Sequence, residues 1–158
     1  MAVDQQALLA ALQAGGIQAL LLQNRPAATF SAFSARRFGA EAFTLELGRA
    51  RPFGHNAELD LQALEAVLAA LIEGRELPSG DPAQLQRFVI ARELLKHSPA
   101  FRLHLDDTVE NFTPLQPGSL LAEDEGRHWI VEEHAARIVF PNPKVAVGQR
   151  AGLIVVPG

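Results

Sequence analysis

Glu46 is the residue whose type and sequence surroundings most suggest chemistry. It lies in Phe43-Thr-Leu-Glu-Leu-Gly48, where a strand is predicted over residues 42–47. A carboxylate among apolar residues is costly to bury unless it is paired or bound to a metal, and open α/β sheets place their sites at the carboxyl ends of strands. Glu46 is therefore a candidate general acid or base. The alternative is that the strand is an edge and Glu46 points into solvent.

His55 and Glu58 form a second candidate, because a His-x-x-Glu spacing can place two ligands on one metal, as in zinc hydrolases. The competing interpretation is a helix start. Asn56 is a good N-cap, and Glu58 and Asp60 would lie in the first turn, where the helix dipole favours anions. No convincing third ligand is near in sequence, so the helix start is the simpler interpretation.

Four arginines flank Glu46 in the sequence, and a guanidinium is a natural partner for a substrate carboxylate because it binds bidentately. They are Arg36, Arg37, Arg49 and Arg51. An arginine more often lies on a solvated surface or forms a structural ion pair. Four histidines in the second half have no recognised metal spacing and are interpreted as exposed or structural: His97, His104, His128 and His134.

The predicted secondary structure that must position these residues changes near residue 78, from a mixture of helices and strands to short strands alone. Helices are predicted from Asp4 to Gly15 and over 61–72, and strands over 17–23 and 42–47, with a loop over 24–34 and a turn of helix over 35–38. Two strands are too few for a stable sheet, so the first part is predicted to be a fragment of an α/β domain.

Beyond a linker at residues 76–84, short strands separated by Pro, Gly, Asn or Asp predict a small all-β barrel or sandwich. The predicted strands cover residues 87–95, 101–105, 119–122, 128–132, 137–140 and 153–156.

Composition limits the class of protein. The 158 residues are 48% hydrophobic and 20% charged, as in globular proteins. Without cysteine, disulfides and thiolate zinc sites are excluded. A net charge of −4 and no basic cluster beyond Arg36-Arg37 argue against a nucleic-acid partner. No membrane-length apolar run or signal peptide is seen, so we expect a soluble cytoplasmic protein with no membrane partner.

Several blocks of sequence resemble the succinylglutamate desuccinylase/aspartoacylase family, and the desuccinylase branch most closely. The blocks run from the first helix to the last strand: Thr29-Phe-Ser-Ala-Phe-Ser34, Phe38-Gly-Ala40, Thr44-Leu-Glu-Leu-Gly48, Arg51-Pro-Phe-Gly54 with Asn56, Lys96-His-Ser98, Asn111-Phe-Thr113, Leu120-Leu-Ala-Glu123, Val139-Phe-Pro-Asn-Pro143 and Gly148-Gln-Arg-Ala-Gly-Leu153.

The resemblance implies a zinc-dependent amidohydrolase with a zinc-carboxypeptidase-like α/β domain and an appended β domain. We therefore expect the C-terminal part of the catalytic domain at residues 1–77 and the β-barrel or sandwich domain at 85–158. Glu46 inherits the role of general base toward the zinc-bound water. Arg36 stands where a related branch holds a substrate carboxylate.

Family members are much longer, and their zinc ligands, a His-x-x-Glu and a later His, lie upstream of the matched region. The chain is therefore expected to be the C-terminal half, with the base but without the zinc ligands. Zinc belongs to the intact enzyme, no cofactor is expected here, and the missing N-terminal half is the expected partner. Alone, the chain should be inactive.

The function implied for the intact enzyme is hydrolysis of N2-succinylglutamate to succinate and glutamate in arginine catabolism. One alternative is a non-catalytic binding or structural module that self-associates through an unpaired sheet edge. The other is an aspartoacylase-like enzyme acting on a different N-acyl amino acid.

Overall fold

The structure, a computed structural model, describes residues 5–22, 28–48, 59–106 and 108–158. It divides into two compact units. The helical unit comprises Met1–Ala19 and Asn24–Gln86, and the β unit comprises Leu20–Gln23 and Arg87–Gly158.

The helical unit contains α1 (Gln5–Ala14), α2 (Phe30–Phe38), α3 (Gln62–Glu73) and a 3-10 turn at Pro82–Gln84. Helices α1 and α3 pack together. The buried residues of α3 are Leu64, Val67 and Ala70, which recur every three residues and so lie on one face. The helices predicted at both places are confirmed.

Helix α2 begins earlier than predicted. The loop predicted over residues 24–34 is wrong from Phe30 onward, because the Thr29 side chain caps the helix by accepting a hydrogen bond from the Ala32 amide at 3.2 Å. Gly39 ends α2 with φ of 63°, in the left-handed region that glycine adopts without steric cost.

The predicted strand over residues 42–47 is absent: residues 41–47 have no regular secondary structure. A strand is held by hydrogen bonds to a neighbour, and among the described residues none pairs with this segment. The predicted strand at 17–23 is found as β1 (Ala19–Leu22), but it joins the sheet of the β unit and not a helix-covered α/β sheet.

Two sheets, built mostly of antiparallel strand pairs, make up the β unit. The remaining strands are β2 (Gln86–Leu95), β3 (Arg102–Leu103), β4 (Thr113–Pro114), β5 (Leu120–Asp124), β6 (Arg127–Ile130), β7 (Arg137–Val139) and β8 (Arg150–Pro157). One sheet has the order β1-β2-β8-β7-β4 and the other β3-β5-β6. In the long β2–β8 pair, Val89 lies opposite Val156 and Glu93 opposite Leu153.

Both sheets contribute to one buried core, as expected for a barrel or sandwich. Its residues are Leu94, Leu115, Leu121, Val131, Ala136, Ile138 and Ile154. Gly152 on β8 fits this packing, because a Cβ there would lie 3.3 Å from the Cδ1 atoms of both Leu94 and Ile138. The six strands predicted for this half are confirmed, and the structure adds β4.

No helix in the described ranges is both long and apolar enough to cross a membrane.

Candidate functional site

Glu46 lies in the irregular segment 41–47 of the helical unit, and its side chain is exposed. It forms no hydrogen bond or ion pair with another described residue. The buried strand end expected around it is not formed, because its backbone has no strand to pair with in the described part of the chain.

Arg36 and Arg37 occupy the last turn of α2, where cations complement the carbonyl end of the helix dipole. Both are exposed, and the Arg37 guanidinium lies 5.8 Å from the centre of the Phe38 ring. Arg36 is thus accessible in the helical unit, as a residue that binds a substrate carboxylate must be.

The other residues proposed near the site, Arg49, Arg51, His55 and Glu58, lie outside the described residues. In the described ranges, no group of three or more His, Cys, Asp or Glu side chains is placed to hold a metal ion. The described residues by themselves therefore do not make up the ligand set of a zinc site.

Two histidines of the β unit have contacts of an ordinary structural kind. His97 stacks on Trp129, with ring centres 6.1 Å apart, and its Nε2 lies 3.1 Å from an Arg127 guanidinium nitrogen. His104 Nε2 lies 3.6 Å from Glu123 Oε1. These contacts support the interpretation of the histidines as exposed or structural.

A buried carboxylate that the sequence analysis missed lies at the end of β5. Asp124 is 1% exposed, and its Oδ2 accepts hydrogen bonds from the amides of His97 at 2.7 Å and Ser98 at 3.0 Å. The Ser98 hydroxyl donates to Oδ1 and accepts from the Ala100 amide at 3.0 Å. The network fixes the turn after β2 to the end of β5.

Burial on its own would raise the pKa of Asp124. The hydrogen bonds from the Ser98 hydroxyl and from the two amides outweigh that effect, so the pKa lies below its ordinary value. Asp124 is therefore an ionised structural acceptor. The burial of Asp124 was not predictable from the residues around it, because Asp124-Glu-Gly126 is typical of a solvated turn.

Two of the family-like blocks meet beside β7. The Asn111 side-chain oxygen accepts a hydrogen bond from the Phe140 amide at 2.7 Å, and an Arg137 guanidinium nitrogen donates to the Phe112 carbonyl at 3.0 Å. Phe112 and Phe140 have φ of 65° and 54°, values uncommon outside glycine. The Asn-Phe-Thr and Phe-Pro-Asn-Pro blocks thus hold each other in place.

Arg92 and Glu133 form the best-defined ion pair of the β unit. Arg92 donates to both Glu133 carboxylate oxygens, at 2.5 and 2.9 Å, and to the Ile130 carbonyl at 2.6 Å. Burial acts to raise the pKa of Glu133, but the bonds from Arg92 lower it below its ordinary value. The pair ties β2 to the segment after β6, and so one sheet to the other.

Two family models match the chain. The succinylglutamate desuccinylase/aspartoacylase catalytic domain matches residues 2–72, and the AstE/AspA barrel-sandwich hybrid domain matches residues 83–158.

Curated relatives and solved structures agree with these models. The succinylglutamate desuccinylase of Pseudomonas aeruginosa (strain UCBPP-PA14) is 58% identical over 152 residues, which are 94% of this chain and 46% of that protein. The succinylglutamate desuccinylase of Pseudomonas fluorescens (strain SBW25) is 52% identical, and the match covers 94% of this chain and 45% of that protein. The crystal structure of the Chromobacterium violaceum succinylglutamate desuccinylase matches this fold with a TM-score of 0.77 and a sequence identity of 41%. The match covers 98% of this chain and 46% of that chain.

Helices followed by two packed sheets of mostly antiparallel strands correspond to part of a catalytic domain joined to a barrel-sandwich hybrid domain. The chain belongs to the succinylglutamate desuccinylase/aspartoacylase family. It spans about half the length of the curated relatives it matches, which agrees with the prediction that it corresponds to their C-terminal half.

Proposed function

We propose that this chain is part of a hydrolase that cleaves N2-succinylglutamate to succinate and glutamate in cytoplasmic arginine catabolism. The observation that carries the proposal is 58% identity, over 94% of the chain, to a curated succinylglutamate desuccinylase. The match covers both parts of the chain and is to a desuccinylase, so it supports the desuccinylase branch over an aspartoacylase-like enzyme.

In this proposal residues 1–77 are part of a zinc-carboxypeptidase-like catalytic domain, and residues 85–158 are the appended β domain. The family-model matches at 2–72 and 83–158 support this division.

Glu46 is the proposed general base. It would accept a proton from the water that attacks the succinyl amide carbon, and then donate it to the glutamate nitrogen as the carbon–nitrogen bond breaks. Arg36 is the proposed partner of a substrate carboxylate. The exposure of both side chains in the helical unit supports these roles, because neither is committed to a buried core.

The zinc of the intact enzyme would polarise the amide or the attacking water. We propose that its ligands lie in the part of the relatives that this chain does not match, which is more than half of their length.

The test is a chimera in which this chain replaces the matching half of the Pseudomonas aeruginosa enzyme. We expect the chimera to release glutamate from N2-succinylglutamate faster than aspartate from an N-acylaspartate, and the 158-residue chain alone to release neither. A folded chimera that prefers the N-acylaspartate would overturn the assignment of substrate. A folded chimera without hydrolase activity would favour a non-catalytic module.

A further inference from the structure

One end of the β unit brings basic residues together from distant parts of the sequence. Leu95 on β2 lies opposite Arg150 on β8, and the amide of Lys96 donates a hydrogen bond to the Gln149 carbonyl at 3.0 Å. The pairing of β2 with β8 therefore places Lys96 and Arg150 beside each other.

Two further contacts add basic residues to the same end. The Lys96 ammonium donates to the Pro143 carbonyl at 3.0 Å, and Lys144 follows Pro143 directly. The His97 Nε2 atom lies 3.1 Å from an Arg127 guanidinium nitrogen. The group, here called the basic end, consists of Lys96, His97, Arg127, Lys144 and Arg150, and it includes both lysines of the chain.

The charge of the β unit is unevenly distributed. With histidine neutral, the basic end carries four cations, and the adjoining turn adds two carboxylates, Asp124 and Glu125. The rest of the β unit carries four cations and seven side-chain carboxylates. The basic end is therefore positive, although the whole chain has a net charge of −4.

The cations of the basic end are not neutralised by ion pairs within the β unit. Lys96, Arg127 and Arg150 form no ion pair with a described carboxylate. The buried carboxylate at this end, Asp124, accepts hydrogen bonds from two backbone amides instead. Because Arg127 and Arg150 are exposed, their charge acts on ions in the surrounding solvent.

We propose that the basic end attracts and weakly binds small polycarboxylate anions, and that the anion it concentrates is N2-succinylglutamate. This molecule carries three carboxylates, one on the succinyl group and two on the glutamate. Its choice as the ligand rests on the proposed function. A positive surface raises the local concentration and the association rate of an anionic ligand by about tenfold or more at low ionic strength.

The charge distribution favours a small anion over a long one. Four cations match three carboxylates on a small molecule. A nucleic acid would extend beyond the basic end and meet the seven carboxylates on the rest of the β unit, which repel its phosphates.

The first test measures binding without catalysis. N2-succinylglutamate is titrated into the isotope-labelled 158-residue chain at about 10 mM ionic strength, where charges act over about 30 Å. We expect saturable shifts of the amide resonances of residues 96, 97, 127, 144 and 150. Succinamide, a neutral relative of the succinyl group, should cause none.

Two double variants, each removing two exposed arginines of the β unit, locate the binding surface. Arg127→Gln/Arg150→Gln should weaken binding at least about threefold, because it removes half of the cations of the basic end. Arg87→Gln/Arg102→Gln is the matched control and should bind like the wild type. Circular dichroism should show the same fold in both variants, since all four side chains are exposed.

The second test measures the effect on the reaction in the chimera with the Pseudomonas aeruginosa half. Arg127→Gln/Arg150→Gln should lower kcat/KM for N2-succinylglutamate by about threefold or more at low salt, through KM and not kcat. The loss should fall below about twofold in about 0.5 M NaCl, where charges are screened beyond about 4 Å. The control variant should match the unsubstituted chimera at both salt concentrations.

The two tests separate this proposal from the proposed function. Absence of saturable shifts, equal shifts with succinamide, or binding unchanged in Arg127→Gln/Arg150→Gln would each overturn the proposal, as would a loss of kcat/KM that salt does not relieve. Shifts in the chain alone, combined with a chimera that does not hydrolyse N2-succinylglutamate, would contradict the proposed function and leave the anion-binding surface supported. An active chimera with equal kinetics in both double variants would overturn this proposal and leave the proposed function supported.

Discussion

Glu46 is the residue to which the proposed function assigns the role of general base. In the described structure it is an exposed carboxylate on an unpaired segment. A general base, however, must lie within hydrogen-bond reach of the proton it abstracts. The proposed role of Glu46 as general base is therefore best tested where the rest of the catalytic domain is present.

In the active chimera, we expect Glu46→Gln to lower kcat by about 10²–10⁴-fold, the usual contribution of general acid–base catalysis. KM should change little, because Glu46 would act on the water and not hold a substrate carboxylate. Glu46→Asp should also lose much of the activity, since a displacement of about 1 Å spoils near-attack geometry. The kinetics of N2-succinylglutamate hydrolysis measure both effects.

Glu41→Gln, a change at another exposed glutamate, is the control. More than about a tenth of wild-type kcat in Glu46→Gln would make Glu46 a structural residue.

Ser98→Ala should destabilise the β unit by about 1–3 kcal/mol, because it leaves the Ala100 amide and one Asp124 oxygen without their hydrogen-bond partner. Urea unfolding followed by the fluorescence of Trp129, the single tryptophan, measures the change. Ser79→Ala, at an exposed serine, should stay within about 0.5 kcal/mol of the wild type. Equal stability of the two variants would show that the Asp124 network adds nothing.

Asp124 should make the β unit acid-sensitive. Its folded-state pKa lies below the ordinary 3.8, so the unfolded chain binds more protons and stability rises with pH in that range. The contribution is fully present above pH 3.8 and is lost as the pH falls through the lower folded-state value. Urea midpoints of the wild type should therefore fall more steeply below pH 3.8 than those of Asp124→Asn, which cannot titrate. Parallel pH profiles of the two proteins would contradict the assignment.

Among the elements, a partly buried ion pair joins the two sheets in addition to their shared core. Arg92→Lys cannot keep the two parallel bonds to Glu133, and the Arg92 and Glu133 side chains are 31% and 18% exposed. In a double-mutant cycle of Arg92→Lys and Glu133→Gln, we expect a coupling free energy of about 1 kcal/mol, at the upper end for partly exposed pairs.

The matched comparison is Arg102 with Glu123, which are 3.9 Å apart and side-chain exposed by 77% and 32%. The same cycle at that pair should give a coupling near zero. A similar coupling at both pairs would mean that the geometry of Arg92 and Glu133 has no special effect on stability.

The elements also show which features a sequence encodes locally. The strands of the β unit and the ends of α1 and α3 were predictable, because alternation, turn residues and capping glycines are local signals. The state of residues 42–47 was not, since a strand needs a neighbour that the pattern of one segment does not identify. The burial of Asp124 was equally hidden, because its partners lie about 26 residues earlier, at His97 and Ser98.

At the scale of the molecule, we expect the purified 158-residue chain to bind no zinc stoichiometrically. A catalytic zinc site generally needs three protein ligands, and the described residues contain no such group. Metal analysis after dialysis against zinc-free buffer measures this, with the Pseudomonas aeruginosa enzyme as the positive control. One tightly held zinc per chain would point to His55 and Glu58, the pair first suggested by their spacing.

The place of β1 at the edge of the larger sheet determines how this protein can be divided for experiments. Residues 20–22 come early in the chain, yet they belong to the β unit and flank β2. A recombinant fragment cut at the linker, beginning near residue 83, would lack that strand and expose the part of the β2 edge that β1 covers. Unprotected edges of this kind recruit other chains and promote aggregation. The β unit should therefore be expressed with residues 17–23 retained, for example by grafting them ahead of β2 through a flexible linker of about a dozen residues or more, because β1 and β2 run parallel and the linker must return along the strands.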